Sequence, residues 1–132
     1  PILEQIPERY EYHAPGYIPE DELPIAYSAA DLCVVPSKME SFGLVATESM
    51  SCGTPVVSYK TSGLQEQITD STGWLAEFMN IGSLTENIRK AVTDEEQRQR
   101  KGKNARKRVV QNYNQQRFID DHKRLYSRIA SD

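Results

Sequence analysis

Apolar residues along this 132-residue chain follow two rhythms that change places several times. Glu20 to Ala30 spaces Leu23, Ile25, Ala26, Tyr27, Ala29 and Ala30 as one face of a helix, with acids at its front end. Asp31 to Pro36 follows as an unbroken apolar run of strand length, the pattern of a strand covered on both faces in a parallel sheet. Gly43 to Cys52 predicts a helix that Gly53 stops, with Pro55 just beyond. Thr54 to Tyr59 reads as a strand whose proline sits near its first position. Leu64 to Ile68 predicts one or two helical turns, and Gly73 to Ala76 a short strand. Tyr10 to His13, closed by Pro15 and Gly16, predicts an opening strand. From Ile81 the pattern is helical to the end: Leu84, Ile88 and Val92 recur every four residues, and Phe118, Leu125, Tyr126 and Ile129 mark a last amphipathic helix.

Strands alternating with helices define an α/β, Rossmann-like parallel sheet with right-handed crossovers and flanking helices, followed by a helical C-terminal tail. Few strands are legible where a doubly wound sheet has five or six, so the pattern predicts a sheet lacking its first βαβ unit. The expected division is a partial Rossmann-like domain over 1–93 and a helical extension over 94–132 packed on the same domain.

Charge sharpens that division. Residues 1–93 hold 13 acidic and 5 basic residues, whereas 94–132 hold 6 acidic and 11 basic. Seven bases crowd between Arg98 and Arg108 with no acid among them. A solvated helix face accounts for such a run, and an anionic membrane surface, an anionic lipid-linked substrate or an acidic partner domain are the sharper readings. Nucleic acid is not expected, because no aromatic residue interleaves with these bases and the whole chain carries −3. Two cysteines, Cys33 and Cys52, suit small buried apolar positions in a reducing compartment, and no residue cluster has metal-ligand spacing. His13 and His122 read as structural. A cytoplasmic location is expected, with peripheral contact at the inner face of a membrane as an open reading.

The candidate chemistry lies in residues 36–66. The loop after the apolar strand carries Glu40, Ser41 and Phe42, then Gly43 opens a helix that bears Glu48. Ligands of open α/β sheets bind beyond the carboxyl ends of the strands, where this loop falls. Unpaired N–H groups and the positive end of the helix dipole make its tip an anion site. Carboxylates repel phosphate but accept hydrogen bonds from vicinal hydroxyls. A ligand that suits both has sugar rings at its ends and phosphate between them, as a nucleoside diphosphate sugar has.

These residues stand in an ordered series: Gly16-Tyr17-Ile18-Pro19, Asp21-Glu22-Leu23-Pro24, Tyr27-Ser28-Ala29-Ala30-Asp31, Pro36-Ser37, Glu40 to Leu44, Glu48 with Met50, Cys52 to Val57, Gly63 to Glu66, Gly73-Trp74-Leu75, and a closing helix near Leu125-Tyr126. From Tyr10 to Tyr126 the chain resembles the C-terminal, nucleotide-sugar-binding domain of the family-four retaining glycosyltransferases of the GT-B fold. The resemblance implies glycosyl transfer from a nucleotide-diphosphate sugar to an acceptor hydroxyl with retention. It implies Glu40 on the donor sugar as the catalytic position, Ser41, Phe42, Gly43 and Leu44 along the diphosphate and sugar, Glu48 on the ribose, and Ile18 near the nucleobase. It implies no metal and no cofactor, and as partners an acceptor sugar or lipid-linked glycan and an N-terminal domain that holds it. Ser41 and Ser62 stand where the family commonly has glycine. The strands that bring a basic pair to the diphosphate precede Tyr10 in the family and are not in this sequence, so the chain alone is expected to be inactive. The alternative reading is a non-catalytic nucleotide-binding or protein-interaction module.

Overall fold

The computed structural model describes residue 7 and residues 9–130. In chain order they form α1 (Leu23–Ala29), β1 (Cys33–Val35), α2 (Leu44–Ser51), β2 (Val56–Tyr59), α3 (Ser62–Gln67), β3 (Gly73–Ala76), α4 (Ile81–Thr93), α5 (Glu95–Asn112) and α6 (Gln115–Ile129). The three strands pair in parallel in the order β1-β2-β3, with Val56 opposite both Cys33 and Gly73.

Central β2 is buried throughout, and its pleat divides the core in two. Val56 faces one layer with Met50 and Ala46 of α2, Leu64 of α3, and Ala105 and Val109 of α5. Val57 faces the other with Trp74 and Ala91, against which Leu32, Leu84 and Ile88 pack. This is the expected Rossmann-like arrangement, a parallel sheet between helical layers.

Four expectations from the periodicity are corrected. Tyr10 to His13 is exposed and irregular, because a strand exists only by its ladder and none of the three strands pairs with it. Strand β1 is not covered on both faces: it lies at the sheet edge, and Val34 is 41% exposed. On α4 the buried stripe runs Leu84, Ile88, Ala91 and leaves Val92 exposed, since a 3.6-residue turn drifts away from repeated four-residue steps. The extension over 94–132 divides: α5 enters the core through Ala105 and Val109, whereas α6 buries no residue, and Phe118, Leu125, Tyr126 and Ile129 are all at least half exposed.

The basic run of α5 is not a uniformly solvated face. Arg98 donates to the carbonyls of Ala91 (2.9 Å) and Val92 (3.1 Å) at the end of α4. Arg106 donates to the Ser51 carbonyl ending α2. Arg108 donates to Glu66 (2.7 Å) and Gln67 (2.8 Å), the last two carbonyls of α3. Lys101, buried, reaches the carbonyls of Asp70 (2.5 Å) and Gly73 (2.7 Å) and lies 4.6 Å from the Trp74 ring centroid. Three helices thus end on cations of the single helix α5, where the helix dipole places partial negative charge and carbonyls lack partners. Arg100, Lys103, Arg106 and Lys107 are exposed.

Candidate functional site

Helix α2 begins without a side-chain cap. Gly43, at its N-cap, takes the left-handed conformation (φ 76°), and a Cβ there would lie 2.6 Å from Leu64 Cδ2. The following residues Leu44 and Val45 are exposed, and the first N–H groups of α2 have no intrahelical acceptor. Preceding β1 ends at Val35, which puts the loop 36–43 beyond the carboxyl end of an edge strand.

That loop is held from behind by α3. The Gly63 N–H donates to the Glu40 carbonyl at 3.1 Å, and the Ser62 hydroxyl reaches the same oxygen at 3.3 Å. A Cβ on Gly63 would lie 2.7 Å from the carbonyl oxygens of both Glu40 and Ser41, so glycine is required there for contact. Ser62, where the family commonly has a second glycine, instead adds a hydrogen bond. Gln67, 1% exposed, donates through Nε2 to the Phe42 carbonyl and accepts the Thr47 hydroxyl at 3.0 Å. The Phe42 ring stands edge-on to Tyr113 at 5.7 Å, and the Tyr113 hydroxyl donates to the Glu66 carbonyl at 3.2 Å. Because a trans peptide points its C=O and N–H in opposite directions, drawing the Phe42 carbonyl inward turns the Gly43 N–H outward.

Glu40 is half-buried, and its Oε1 accepts the Ser37 hydroxyl at 2.9 Å. Glu48 is exposed, and its Oε2 accepts the Tyr27 hydroxyl of α1 at 3.0 Å. Burial, and then the hydrogen bond to and the charge of Glu48, push the Tyr27 phenol up to about 12. Glu48 and Tyr27 line a cleft of about 390 Å³ between α1 and α2, together with Glu20, Leu23, Pro24, Ser51 and Cys52. Glu40 does not line it, and its carboxylate is held instead within the loop by Ser37. Ile18 is half-buried in the segment that leads into α1 and contributes Glu20 to the cleft. Ser41 and Phe42 are exposed and Gly43 is buried. The Glu66 side chain is exposed, and the role of that residue in the site passes through its carbonyl. His13 is exposed, and His122 Nδ1 is 2.8 Å from the Phe118 carbonyl.

Tyr27, Ser37, Thr47, Ser62, Gly63 and Gln67 complete the loop and its supports, and none of them was singled out by carboxylate spacing. Gln67 carried one signal, a polar residue between Glu66 and Ile68 at a position the helical pattern buries. Among the described residues no cluster of three or more His, Cys, Asp or Glu is placed to hold a metal ion. No helix among them is long and apolar enough to cross a membrane.

The family described as glycosyl transferases group 1 matches residues 9–108, and the chain belongs to it. It is 37% identical over 84 residues to O-antigen chain mannosyltransferase B of Escherichia coli, covering 64% of this chain and 22% of that protein. It is 27% identical over 114 residues to N-acetyl-alpha-D-glucosaminyl L-malate synthase of Bacillus anthracis, covering 86% and 30%. Among solved structures, sucrose-phosphate synthase from Thermosynechococcus elongatus superposes with a TM-score of 0.79 at 38% identity, over 88% of this chain and 29% of that one. Anabaena HepE in complex with UDP and glucose superposes with a TM-score of 0.70 at 25% identity, over 84% and 30%. The chain therefore spans 22% to 30% of the length of these relatives.

Proposed function

We propose that this chain is the donor-holding part of a retaining glycosyltransferase that uses a nucleoside diphosphate sugar. The observation that carries the reading is the uncapped α2 tip at Gly43, with Glu40 in the loop that precedes it and Glu48 on the helix that follows. The outward N–H groups of Gly43 and Leu44 meet the diphosphate and offset the charge that grows on it as the glycosidic bond breaks. Phe42 serves through its backbone, and Ser41 flanks the sugar. Glu40, held at Oε1 by Ser37, accepts hydroxyls of the donor sugar through its other oxygen. Glu48 accepts the ribose hydroxyls, and Ile18 lies toward the base. The complex of HepE with UDP and glucose supports a nucleotide-sugar ligand for this fold. In this reading neither metal nor cofactor takes part. The acceptor, a sugar or lipid-linked glycan, is held by a further domain, and the chain alone does not transfer sugar. Contact of the solvent-facing Arg100, Lys103 and Lys107 with an anionic membrane face or partner would accompany this role.

The test is steady-state kinetics in the longer protein. A hydrogen bond to a charged group contributes about 1.5–3 kcal/mol, or roughly 10- to 150-fold. Glu40→Ala is expected to lower kcat by that factor, and Glu48→Ala to raise KM for the donor. Both variants unchanged would remove these roles. A non-catalytic interaction module is the second reading, favoured by the open edge at Val34 and the exposed apolar residues of α6. It predicts self-association in light scattering with no nucleotide affinity in calorimetry.

A further inference from the structure

We infer that Tyr27 is a positioning residue for the nucleoside, holding the Glu48 carboxylate in the one orientation that receives the ribose. The inference rests on the ribose role proposed for Glu48.

Glu48 lies on the exposed face of α2, and a free glutamate there samples many rotamers. Ordering such a side chain on binding costs rotamer freedom. In this structure that ordering is done beforehand. The Tyr27 hydroxyl holds Oε2 at 3.0 Å, which leaves Oε1 without a partner among the described residues. Tyrosine suits the task because its ring has two torsions and its hydroxyl is a neutral donor facing an acceptor-only group.

Tyr27 is itself anchored. Helix α1 buries none of its residues, so packing alone does not fix it. Thr54, 3% exposed at the foot of β2, donates its hydroxyl to the Tyr27 carbonyl at 2.6 Å and lies 3.4 Å from the Ala30 carbonyl. Connection therefore runs from the core through Thr54 to the backbone of Tyr27, and through its side chain to Glu48. Leu23, Pro24 and Tyr27 supply the apolar wall of the cleft that Glu48 closes. A nucleoside fits this pattern: an apolar ring face against that wall and vicinal hydroxyls toward a pre-oriented carboxylate.

Calorimetric titration of the longer protein with UDP and GDP, and with their 2′,3′-dideoxy forms, tests this. The expected result is tighter binding of the ribo form by tenfold or more, a preference that Glu48→Ala abolishes. Tyr27→Phe, a change of one atom on a helix with no buried residue, is expected to shrink that preference about three- to tenfold and leave the dideoxy affinity as it was. If Glu48→Ala abolishes the preference while Tyr27→Phe leaves it intact, Tyr27 does not position Glu48 and the ribose role stands. Equal weakening of both ligand forms by Tyr27→Phe would make Tyr27 a structural support and overturn the inference. A preference that survives Glu48→Ala, or no binding of any of the four ligands, would overturn the ribose role and this inference with it.

Discussion

Gln67 and Phe42 are 25 residues apart, yet the buried Gln67 amide donates to the Phe42 carbonyl and so orients the peptide that opens α2. The same side chain accepts from Thr47 on the first turn of that helix. One glutamine therefore ties α3 to both the loop and the helix tip. Gln67→Met keeps the volume and loses both bonds. It is expected to cost about 1–3 kcal/mol in urea unfolding, because the Thr47 hydroxyl and the Phe42 carbonyl lose a partner. Gln67→Glu is expected to be worse at neutral pH, since a carboxylate cannot donate to that carbonyl. An unfolding midpoint unchanged in both variants would show that the loop is held without Gln67.

Gly63 makes a second contact with the loop, and it is the tighter one. Its missing Cβ would sit 2.7 Å from two backbone oxygens, neither of which belongs to a flexible side chain. Gly63→Ala must push residues 40 and 41 away and break the 3.1 Å bond to the Glu40 carbonyl. Overpacking of this kind costs about 1–3 kcal/mol. Amide shifts in NMR spectra of the variant are expected to move at 40–44 and to stay in place in α4. No movement at 40–44 would contradict the contact.

Lys101 gives a prediction with a sign in pH. Burial holds its ammonium below the ordinary lysine value of 10.5, although two carbonyls and the Trp74 ring accept it. Between its folded value and 10.5 the unfolded chain binds more protons than the native one, so this group makes stability rise with pH across that window. Lys101→Met is expected to remove the rise. It should also destabilise by about 1–3 kcal/mol at neutral pH by leaving the Asp70 and Gly73 carbonyls unpaired. Unfolding curves recorded from pH 7 to 10.5 check both effects.

Tyr27 has the opposite sign. Its folded value of about 12 lies above the ordinary 10.0, so its contribution is complete below pH 10 and is lost as pH rises through about 12. Absorbance titration at the phenolate band is expected to show a late-ionising tyrosine that Tyr27→Phe removes. Glu48→Gln should bring that ionisation to lower pH by removing the neighbouring charge. If the ionisation that Tyr27→Phe removes lies near 10 and Glu48→Gln leaves the titration unchanged, the Tyr27–Glu48 contact is contradicted.

Much of the fold was legible along the chain because its signals are local. The apolar run 54–59, the stop at Gly53 and the helix bearing Glu48 follow from turn chemistry and periodicity, which need only neighbouring residues. The ordered motifs from Ile18 to Glu66 likewise located the loop and the helix tip. Tertiary structure alone decided which strand is central: Val34 and Val57 look equivalent in sequence, but Val57 has a partner strand on each side and Val34 lies at an edge. It alone turned Arg106 and Arg108 from a charge run into ligands of helix ends, and Lys101 into the partner of the Asp70 and Gly73 carbonyls, since these carbonyls lie 28 to 55 residues away. Tyr27 meeting Glu48 and Gln67 meeting Phe42 belong with these. Periodicity reports which face a residue occupies, whereas a hydrogen bond between distant residues exists only after the sheet and its helices have packed.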